Sequence, residues 1–275
     1  MLASFLVFLR PKALAPLGRT IGRSLHGLLL DLIRQASPEL AQRLHGDTPI
    51  KPFTVSMLRG RLLRQGDQRL ASPDETYQVR YTVLAEDVFA ALSHVLLGKY
   101  LYHETVSLDG QPFEIVEIAV EPARSGGWAR LASYEQLYEE ARAEERIVLR
   151  FASPTTFRTG DVNLLFPLPV SVFGSYLRKW GAFSPIPLVE GGLLDFVAEQ
   201  VVAERYELET RVVRYGNFQV NGFVGVCHYR VLGGDPERVR AVNVLADFAL
   251  FAGTGQKTTQ GLGQTKRIRG PGRRS

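Results

Sequence analysis

Apolar residues along the chain follow strand-like and helix-like periods in turn, and the same order of elements occurs twice. An uninterrupted apolar run at 2–9 is typical of a buried strand. Over 20–35 apolar residues return every three or four positions, as one face of a helix requires. The first half is predicted to hold strand 2–9, helix 20–35, strands 53–58 and 77–83, helix 87–98 and strand 113–120.

The second half repeats the order of elements without repeating the residues. Its predicted elements are strand 146–152, loop 154–169, helices 170–180 and 193–202, strands 208–213 and 223–231, helix 236–252 and strand 266–269. Each half therefore has the βαββαβ order. The expected fold class is α+β, with two tandem ferredoxin-like (RRM-like) domains at 1–125 and 146–275, joined by a linker at 126–145.

The charge of the chain is concentrated at its two ends. The net charge is +5, although residues 1–30 contribute four basic side chains, residues 248–275 contribute six, and neither end holds an acid. The ten residues are Arg10, Lys12, Arg19, Arg23, Lys257, Lys266, Arg267, Arg269, Arg273 and Arg274. Basic ends on an acidic middle favour binding to a polyanion, whereas two solvated basic ends are the simpler alternative.

The cysteine and histidine content restricts the other classes of protein. The single Cys227 cannot form a disulfide within the chain and fits a reducing compartment. No cysteine pair or H-x-x-x-H spacing occurs, so we expect neither a metal site nor another cofactor. The positive charges near the N-terminus follow the apolar run, unlike those of a secretory signal, and no apolar stretch approaches a membrane span. We therefore expect a cytoplasmic protein without a membrane partner.

A glycine-rich segment at 253–263 separates the last predicted helix from the last strand. It contains four glycines, Lys257 and three threonines, without an acid. Free amides, the ammonium group and the hydroxyls are suited to phosphates. The segment does not match a P-loop, because Gln256 separates glycine from lysine and the segment follows a helix. A plain connector is the alternative interpretation.

Together with sequence motifs in both halves, this segment resembles the repeat-processing endoribonucleases of CRISPR systems, members of the repeat-associated protein superfamily. The motifs are Leu44-His45, Lys51-Pro52-Phe53-Thr54-x-Ser56, Phe157-Arg158-x-Gly160, Phe166-Pro167-x-Pro169, Phe173-x-Ser175, Lys179-Trp180 and Phe218-x-x-x-Gly222-Phe223-x-Gly225. The resemblance implies binding of CRISPR repeat RNA and metal-independent cleavage within the repeat. The implied products carry a 5′-hydroxyl and a 2′,3′-cyclic phosphate or 3′-phosphate.

Three residues are the candidates for catalysis. His45 matches the position of the catalytic histidine in many members of the family, and Lys51 matches a basic residue that stabilises charge at the scissile phosphate in some. His26, in the first predicted helix, is the rival, because histidine transfers protons near neutral pH. Some members carry a tyrosine where this chain has Leu30, which leaves the third role open. Which histidine is the base and which the acid also stays open.

The remaining candidates would hold RNA. They are Arg19, Arg23, Arg158, Gly253, Gly255, Lys257, Thr258, Gly261, Gly263, Lys266, Arg267 and Arg269. Contacts between such basic residues and phosphates would weaken with salt.

The resemblance leaves a second function open, that of a non-cleaving RNA-binding subunit of a CRISPR effector complex. Such a subunit would share the fold and the glycine-rich segment but not the catalytic histidines. A general tandem RNA-recognition protein is disfavoured, because the aromatic strand typical of that module is absent. Effector subunits and a second copy of the chain stay open as partners beside repeat RNA.

Overall fold

The computed structural model describes all residues except 20, 47–48, 67, 189–190, 216–217 and 270–275. Thr20, the predicted first residue of the first helix, and the basic Arg273 and Arg274 lie outside the described residues. The described chain forms two compact units. Unit 1 contains residues 1–131, 214–219 and 259–261, and unit 2 contains 132–213, 220–258 and 262–275. The predicted limits at 125 and 145 stay a prediction.

Unit 1 is built on a six-stranded sheet with helices on one face. The strands in the first part of the chain are Leu2–Pro11 (β1), Ala15–Leu17 (β2), Phe53–Val55 (β3), Leu63–Gln65 (β4), Gln68–Ala71 (β5), Tyr77–Val83 (β6), Thr105–Leu108 (β7), Gln111–Ala119 (β8) and Arg130–Ala132 (β9). The helices are Ile21–Ala36 (α1), Pro38–His45 (α2) and Glu86–Leu101 (α3). The sheet order is β3-β6-β1-β8-β7, and β9 also pairs with β1.

The order of the four strands β3-β6-β1-β8 confirms the ferredoxin-like topology, because the first strand of the motif lies between its third and fourth. In β1, Phe5, Val7 and Leu9 point to the same face of the sheet and are buried in one apolar core with Leu25 and Leu29 of α1. A smaller sheet of order β2-β5-β4 belongs to the same unit.

Unit 2 repeats the topology with longer insertions. Its elements are α4 (Tyr134–Glu140), β10 (Arg146–Thr155), β11 (Phe157–Thr159), β12 (Val162–Leu164), α5 (Pro169–Phe183), α6 (Leu193–Gln200), β13 (Val201–Tyr215), β14 (Phe218–Val231), α7 (Pro236–Ala252) and β15 (Thr265–Arg267). The sheet order β13-β14-β10-β15 is the same permutation as in unit 1. Trp180 of α5 packs edge-on against Phe248 of α7, with ring centroids 5.2 Å apart. The structure thus confirms two ferredoxin-like folds.

The largest departure from the predicted elements is β13. The sequence predicted a strand over 208–213, whereas β13 covers Val201–Tyr215, and the helix predicted to reach residue 202 ends at Gln200. Most side chains of β13 are exposed and many are charged, so the strand lacks the apolar alternation that marks a half-buried strand. It lies at the edge of its sheet, where charged residues protect against pairing with another chain.

Two segments that connect the main elements also contain secondary structure. The predicted loop 154–169 contains the hairpin β11–β12, and the predicted linker 126–145 contains β9 and α4. Among the described residues, no helix combines the length and apolar character needed to cross a membrane.

Candidate active site

Helix α1 holds His26 at the margin of its buried face. Leu25 and Leu29 are completely buried, and the His26 side chain beside them is half-buried. The His26 ring contacts the Phe53 ring of β3 at 5.5 Å between centroids. The core packing of α1 therefore fixes the imidazole while one part of it stays accessible. Leu30, where some family members carry a tyrosine, is buried in the same core.

The imidazole of His26 is oriented by a backbone carbonyl. Its Nδ1 atom lies 3.2 Å from the oxygen of Thr259, within the glycine-rich segment and in the same unit. A carbonyl oxygen can only accept, so Nδ1 carries the hydrogen. In the neutral ring Nε2 then keeps its lone pair, which is the state that a general base requires.

The surroundings of His26 favour this neutral state. Burial lowers the pKa of His26 below its ordinary value, and the hydrogen bond to the Thr259 carbonyl opposes this effect. The positive charges of Lys51 and His45 lower the pKa further. These two residues therefore lie within electrostatic reach of His26, so unit 1 brings together the three residues predicted for catalysis.

His45 and Lys51 meet at the end of α2. The helix begins after Ser37, whose hydroxyl accepts a hydrogen bond from the Leu40 amide, and it ends at the exposed His45. The ammonium group of Lys51 donates to the Leu44 carbonyl at 2.7 Å and to the carbonyl of Gly46. Lys51 thus holds the backbone on both sides of His45, a positioning contact that the sequence did not predict.

The glycine-rich segment, which we define as residues 253–263, is packed rather than open. The amides of Thr254, Gln256 and Gly263 donate to the carbonyls of Gly263, Thr156 and Pro154, at 2.8, 3.0 and 3.0 Å. A Cβ atom at Gly255 would lie 2.3 Å from the Thr156 oxygen. Contrary to expectation, these three amides are not available to phosphates. The glycines here allow one backbone segment to approach another closely.

Unit 1 holds the tip of this segment, Thr259–Gly261, against α1 and β3. A Cβ atom at Gly22 of α1 would lie 2.3 Å from the Gln260 oxygen. Gly261 forms a bridge with Ser56 and has a φ of +103°, and a Cβ there would lie 2.5 Å from the Met57 sulfur. The Thr259 carbonyl that bonds to His26 is therefore placed by tight backbone contacts.

Lys179 of α5 holds the other part of the segment within unit 2. Its ammonium group donates to Thr258 Oγ1 at 3.0 Å and to the carbonyl of Ala252, at the end of α7. Although part of the side chain is accessible, the ammonium group is enclosed, and burial lowers its pKa to about 7. The spacing of Lys179 beside the buried Tyr176 and Trp180 was the signal in the sequence for this enclosure.

An aromatic pair that the sequence did not single out lies next to α1. Tyr215 and Phe218 stack at 5.4 Å with an angle of 16° between the rings, and Arg23 lies over Phe218 at 5.3 Å from its centroid. The Tyr215 hydroxyl donates to the Gln260 carbonyl at 2.9 Å. Arg23 is exposed and lies one turn before His26 on α1, so its charge faces solvent near the imidazole.

The other predicted RNA contacts are distributed differently. The Arg267 side chain is only 4% exposed and donates to Glu144, Asn243 and Asp247, so this geometry favours a structural role. Arg269 bonds to Asp247. Arg158 donates to Asp161 and to the carbonyl of Gly160, both within unit 2.

The remaining candidates are either partly exposed or enclosed. Arg19 is exposed, Lys257 and Lys266 are half-buried, and Thr258 is buried beneath Lys179. Gly253 and Gly263 lie side by side, because a Cβ at Gly253 would be 3.1 Å from the Gly263 oxygen. Among the residues the structure describes, no group of three or more His, Cys, Asp and Glu side chains could hold a metal ion.

The paired ferredoxin-like units and the histidine site beside a glycine-rich segment define the class of two-domain repeat-associated proteins. Comparison with known families identifies the particular family within this class. Residues 1–139 match the family model described as the CRISPR Cas6 N-terminal domain, and residues 149–265 match the one described as CRISPR-associated endoribonuclease Cas6. The chain belongs to the Cas6 family of CRISPR-associated endoribonucleases.

Individual relatives agree with this assignment. A CRISPR-associated endoribonuclease Cas6 of Streptococcus thermophilus is 22% identical over 242 residues, 88% of each chain. The structure is similar to the Thermus thermophilus Cas6 (TTHB231) product complex, with a TM-score of 0.82, 27% identity and coverage of 98% of this chain and 100% of that one. A substrate mimic complex of Cas6 (TTHA0078) gives a TM-score of 0.73 at 26% identity, covering 97% and 99%.

Proposed function

We propose that this protein is a metal-independent endoribonuclease that binds CRISPR repeat transcripts and cuts them within the repeat to release guide RNAs. The observation that carries the proposal is the His26 imidazole, held by the Thr259 carbonyl with Nε2 as the atom left to accept a proton. The two similar Cas6 structures, a product complex and a substrate mimic complex, support an RNA substrate.

The reaction needs two proton transfers and one displacement at phosphorus. His26 Nε2 takes the proton of the 2′-hydroxyl next to the scissile phosphate, and the 2′-oxygen attacks phosphorus. The bond from phosphorus to the 5′-oxygen breaks, and a protonated histidine supplies the proton that makes this oxygen a hydroxyl. The products are a 2′,3′-cyclic phosphate and a 5′-hydroxyl. Two histidines supply both transfers, so the mechanism requires no metal-bound water.

We assign the acid role to His45. It is exposed at the C-terminal end of α2, so its imidazole is open to solvent and to a leaving group. His26 has the opposite setting, because burial and neighbouring positive charge favour its neutral form. Two imidazoles whose environments differ in this way fit a base and an acid.

Charge at the crowded phosphate would be stabilised by Lys51 and by the exposed Arg23. Arg19, Lys257 and Lys266 would contact phosphates of the bound RNA. Gly261 would serve by holding the tip of the glycine-rich segment in place.

The test is single-turnover cleavage of labelled repeat RNA in EDTA, with a matched substrate that carries a 2′-deoxy nucleotide at the cut site. We expect the wild type to cut the first substrate and only bind the second. A third substrate carries sulfur in place of the bridging 5′-oxygen at the cut site. Because the thiolate leaves without needing a proton, this substrate should restore cleavage to His45→Ala but not to His26→Ala.

Three outcomes would change the proposal. Cleavage that EDTA abolishes would contradict the metal-independent mechanism. Rescue of His26→Ala in place of His45→Ala would exchange the two roles. Tight binding with no cleavage of any repeat would favour a non-cleaving RNA-binding subunit.

A further inference from the structure

The hairpin of β4 and β5 in unit 1 carries a concentration of arginine that catalysis does not use. Residues 59–71 contain four arginines and one acid. Arg61 and Arg64 are exposed and Arg69 is half-buried. Strands β4 and β5 form, together with β2, the small sheet β2-β5-β4. This sheet is separate from the six-stranded sheet that supports His26. We call Arg61, Arg64 and Arg69 the arginine hairpin.

Two of these arginines face each other directly. Arg64 of β4 is the register partner of Arg69 of β5, and the neighbouring partners Gln65 and Gln68 are neutral. Like charges opposite one another destabilise a strand pair. Protection of an exposed edge explains an arginine on β4, which is an edge strand, but not Arg69 on the central strand β5.

Two exposed arginines of β13 have carboxylate partners. On β13, Arg205 bonds to Glu207 at 2.6 Å and Arg211 bonds to Glu209 at 2.7 Å. Within the described ranges of the chain, the members of the arginine hairpin form no ion pair. Their charge is therefore available to an anionic partner from outside this part of the protein.

The arginine hairpin is connected to the candidate active site through two short segments. Leu17 of β2 pairs with Arg69, and α1 begins four residues later at Ile21. Four residues of extended chain span at most about 14 Å. On the other side, Ser56, which bridges to Gly261, lies seven residues before β4 begins at Leu63.

We propose that the arginine hairpin is a second RNA-binding site, which holds backbone phosphates of the repeat RNA outside the cleavage site. This inference rests on the proposed function. Guanidinium groups bind phosphate in a bidentate manner and carry no base preference in that contact. The site therefore contributes to the affinity for RNA and to the salt dependence of that affinity. The rate at which the bound complex cleaves RNA is set at His26.

The test compares wild type with the double variant Arg64→Gln/Arg69→Gln. The Kd for a repeat RNA with a 2′-deoxy nucleotide at the cut site is measured between 50 and 200 mM salt. Losing two phosphate contacts should reduce the slope of log affinity against log salt by roughly 1.4 to 1.8 and weaken binding at low salt. Single-turnover cleavage at saturating protein should keep the wild-type rate.

Two further variants separate a local contact from general effects. Arg205→Gln/Arg211→Gln removes the same charge from β13 and should leave the salt slope unchanged. Arg64→Glu places a carboxylate opposite Arg69, so it should weaken RNA binding while the melting temperature holds or rises.

An unchanged slope in the hairpin variant, or an equal loss in the β13 variant, would overturn the second site while the proposed function stands. A wild type that binds no repeat RNA even at low salt would overturn both.

Discussion

The first helix after the first long strand has a different task in each of the two ferredoxin-like units. In unit 1, α1 places the half-buried His26 against the Thr259 carbonyl. In unit 2, α5 places Lys179, with an enclosed ammonium group, against Thr258 Oγ1. The two side chains thus bond to consecutive residues of the glycine-rich segment. The topology is repeated, but His26 keeps part of its imidazole accessible, whereas the ammonium group of Lys179 is enclosed.

This difference shows how a repeated fold can separate chemistry from support. His26 keeps an accessible nitrogen because it lies at the margin of the buried face of α1. The ammonium group of Lys179 instead donates hydrogen bonds to Ala252 at the end of α7 and to Thr258 of the segment. Substitution of His26, or of an α1 residue that contacts the segment, should therefore change the rate of cleavage, and substitution of Lys179 should mainly change stability.

The largest effect is expected from His26→Ala. Loss of a general base usually lowers the rate by about 10²- to 10⁴-fold. We expect a loss of this size in single-turnover cleavage, with RNA affinity within about threefold of wild type, since binding rests on phosphate contacts elsewhere. His103→Ala is the control, because this exposed histidine pairs with Glu114 outside the site. A comparable loss in both variants would contradict the role of His26.

Gly22→Ala should have the next largest effect. The new methyl group would meet the Gln260 carbonyl at 2.3 Å, so α1 and the tip of the segment must move apart and the His26–Thr259 bond is disturbed. Small displacements of a catalytic group can cost up to about 100-fold in rate.

Gly27→Ala provides the matched control in the same helix, since nothing lies within 4 Å of its Cβ position. It should keep the wild-type rate and gain a little stability. Equal rates in the two alanine variants would show that contact between α1 and the segment is not required.

Lys51→Met should lower the rate by about tenfold, because it frees the carbonyls of Leu44 and Gly46 and with them the position of His45. Removing this cation should also raise the pKa of His26. Because the base acts when neutral, the acid limb of the kcat/KM profile should move to higher pH. Lys99→Met, which removes a lysine paired with Glu104, is the control. An acid limb that stays at the same pH would show that Lys51 does not affect the pKa of His26.

Lys179→Met should have the smallest effect on the rate and a clear effect on stability against pH. The folded-state pKa of Lys179 is about 7, below its value in the unfolded chain. The unfolded state therefore binds more protons between about pH 7 and 10, and the free energy of unfolding rises with pH by at most about 1.4 kcal/mol per unit.

The contribution of Lys179 to the pH dependence of the free energy of unfolding can be isolated by urea unfolding of wild type and Lys179→Met at pH 7, 8 and 9. We expect the difference in stability between the two proteins to shift in favour of wild type as the pH increases. A constant difference would mean that Lys179 stays protonated inside the protein.

The sequence predicted the topology because apolar periodicity survives wherever a strand or helix has one buried face. It predicted His26 and His45 because few side chains transfer protons at neutral pH, and the resemblance singled out the position of His45. It underestimated β13, whose exposed charged residues carry no period. It also gave no indication of the small sheet β2-β5-β4, whose strands have three or four residues each.

The arrangement around His26 could not be predicted for a different reason. Its partner is a backbone carbonyl 233 residues away, and any residue type could supply one. The segment that carries this carbonyl was expected to offer its amides to phosphates, but those of Thr254, Gln256 and Gly263 are bonded within the protein. Glycine frequency alone does not distinguish close backbone packing from a ligand loop.

The most direct test of the account is the protonation state of His26, measured by 15N NMR of histidine-labelled protein across pH, with His26→Ala to assign the signal. The account predicts a neutral ring with hydrogen on Nδ1 and a pKa below the ordinary value of 6.5. Hydrogen on Nε2, or a pKa above 6.5, would contradict a base held by the Thr259 carbonyl.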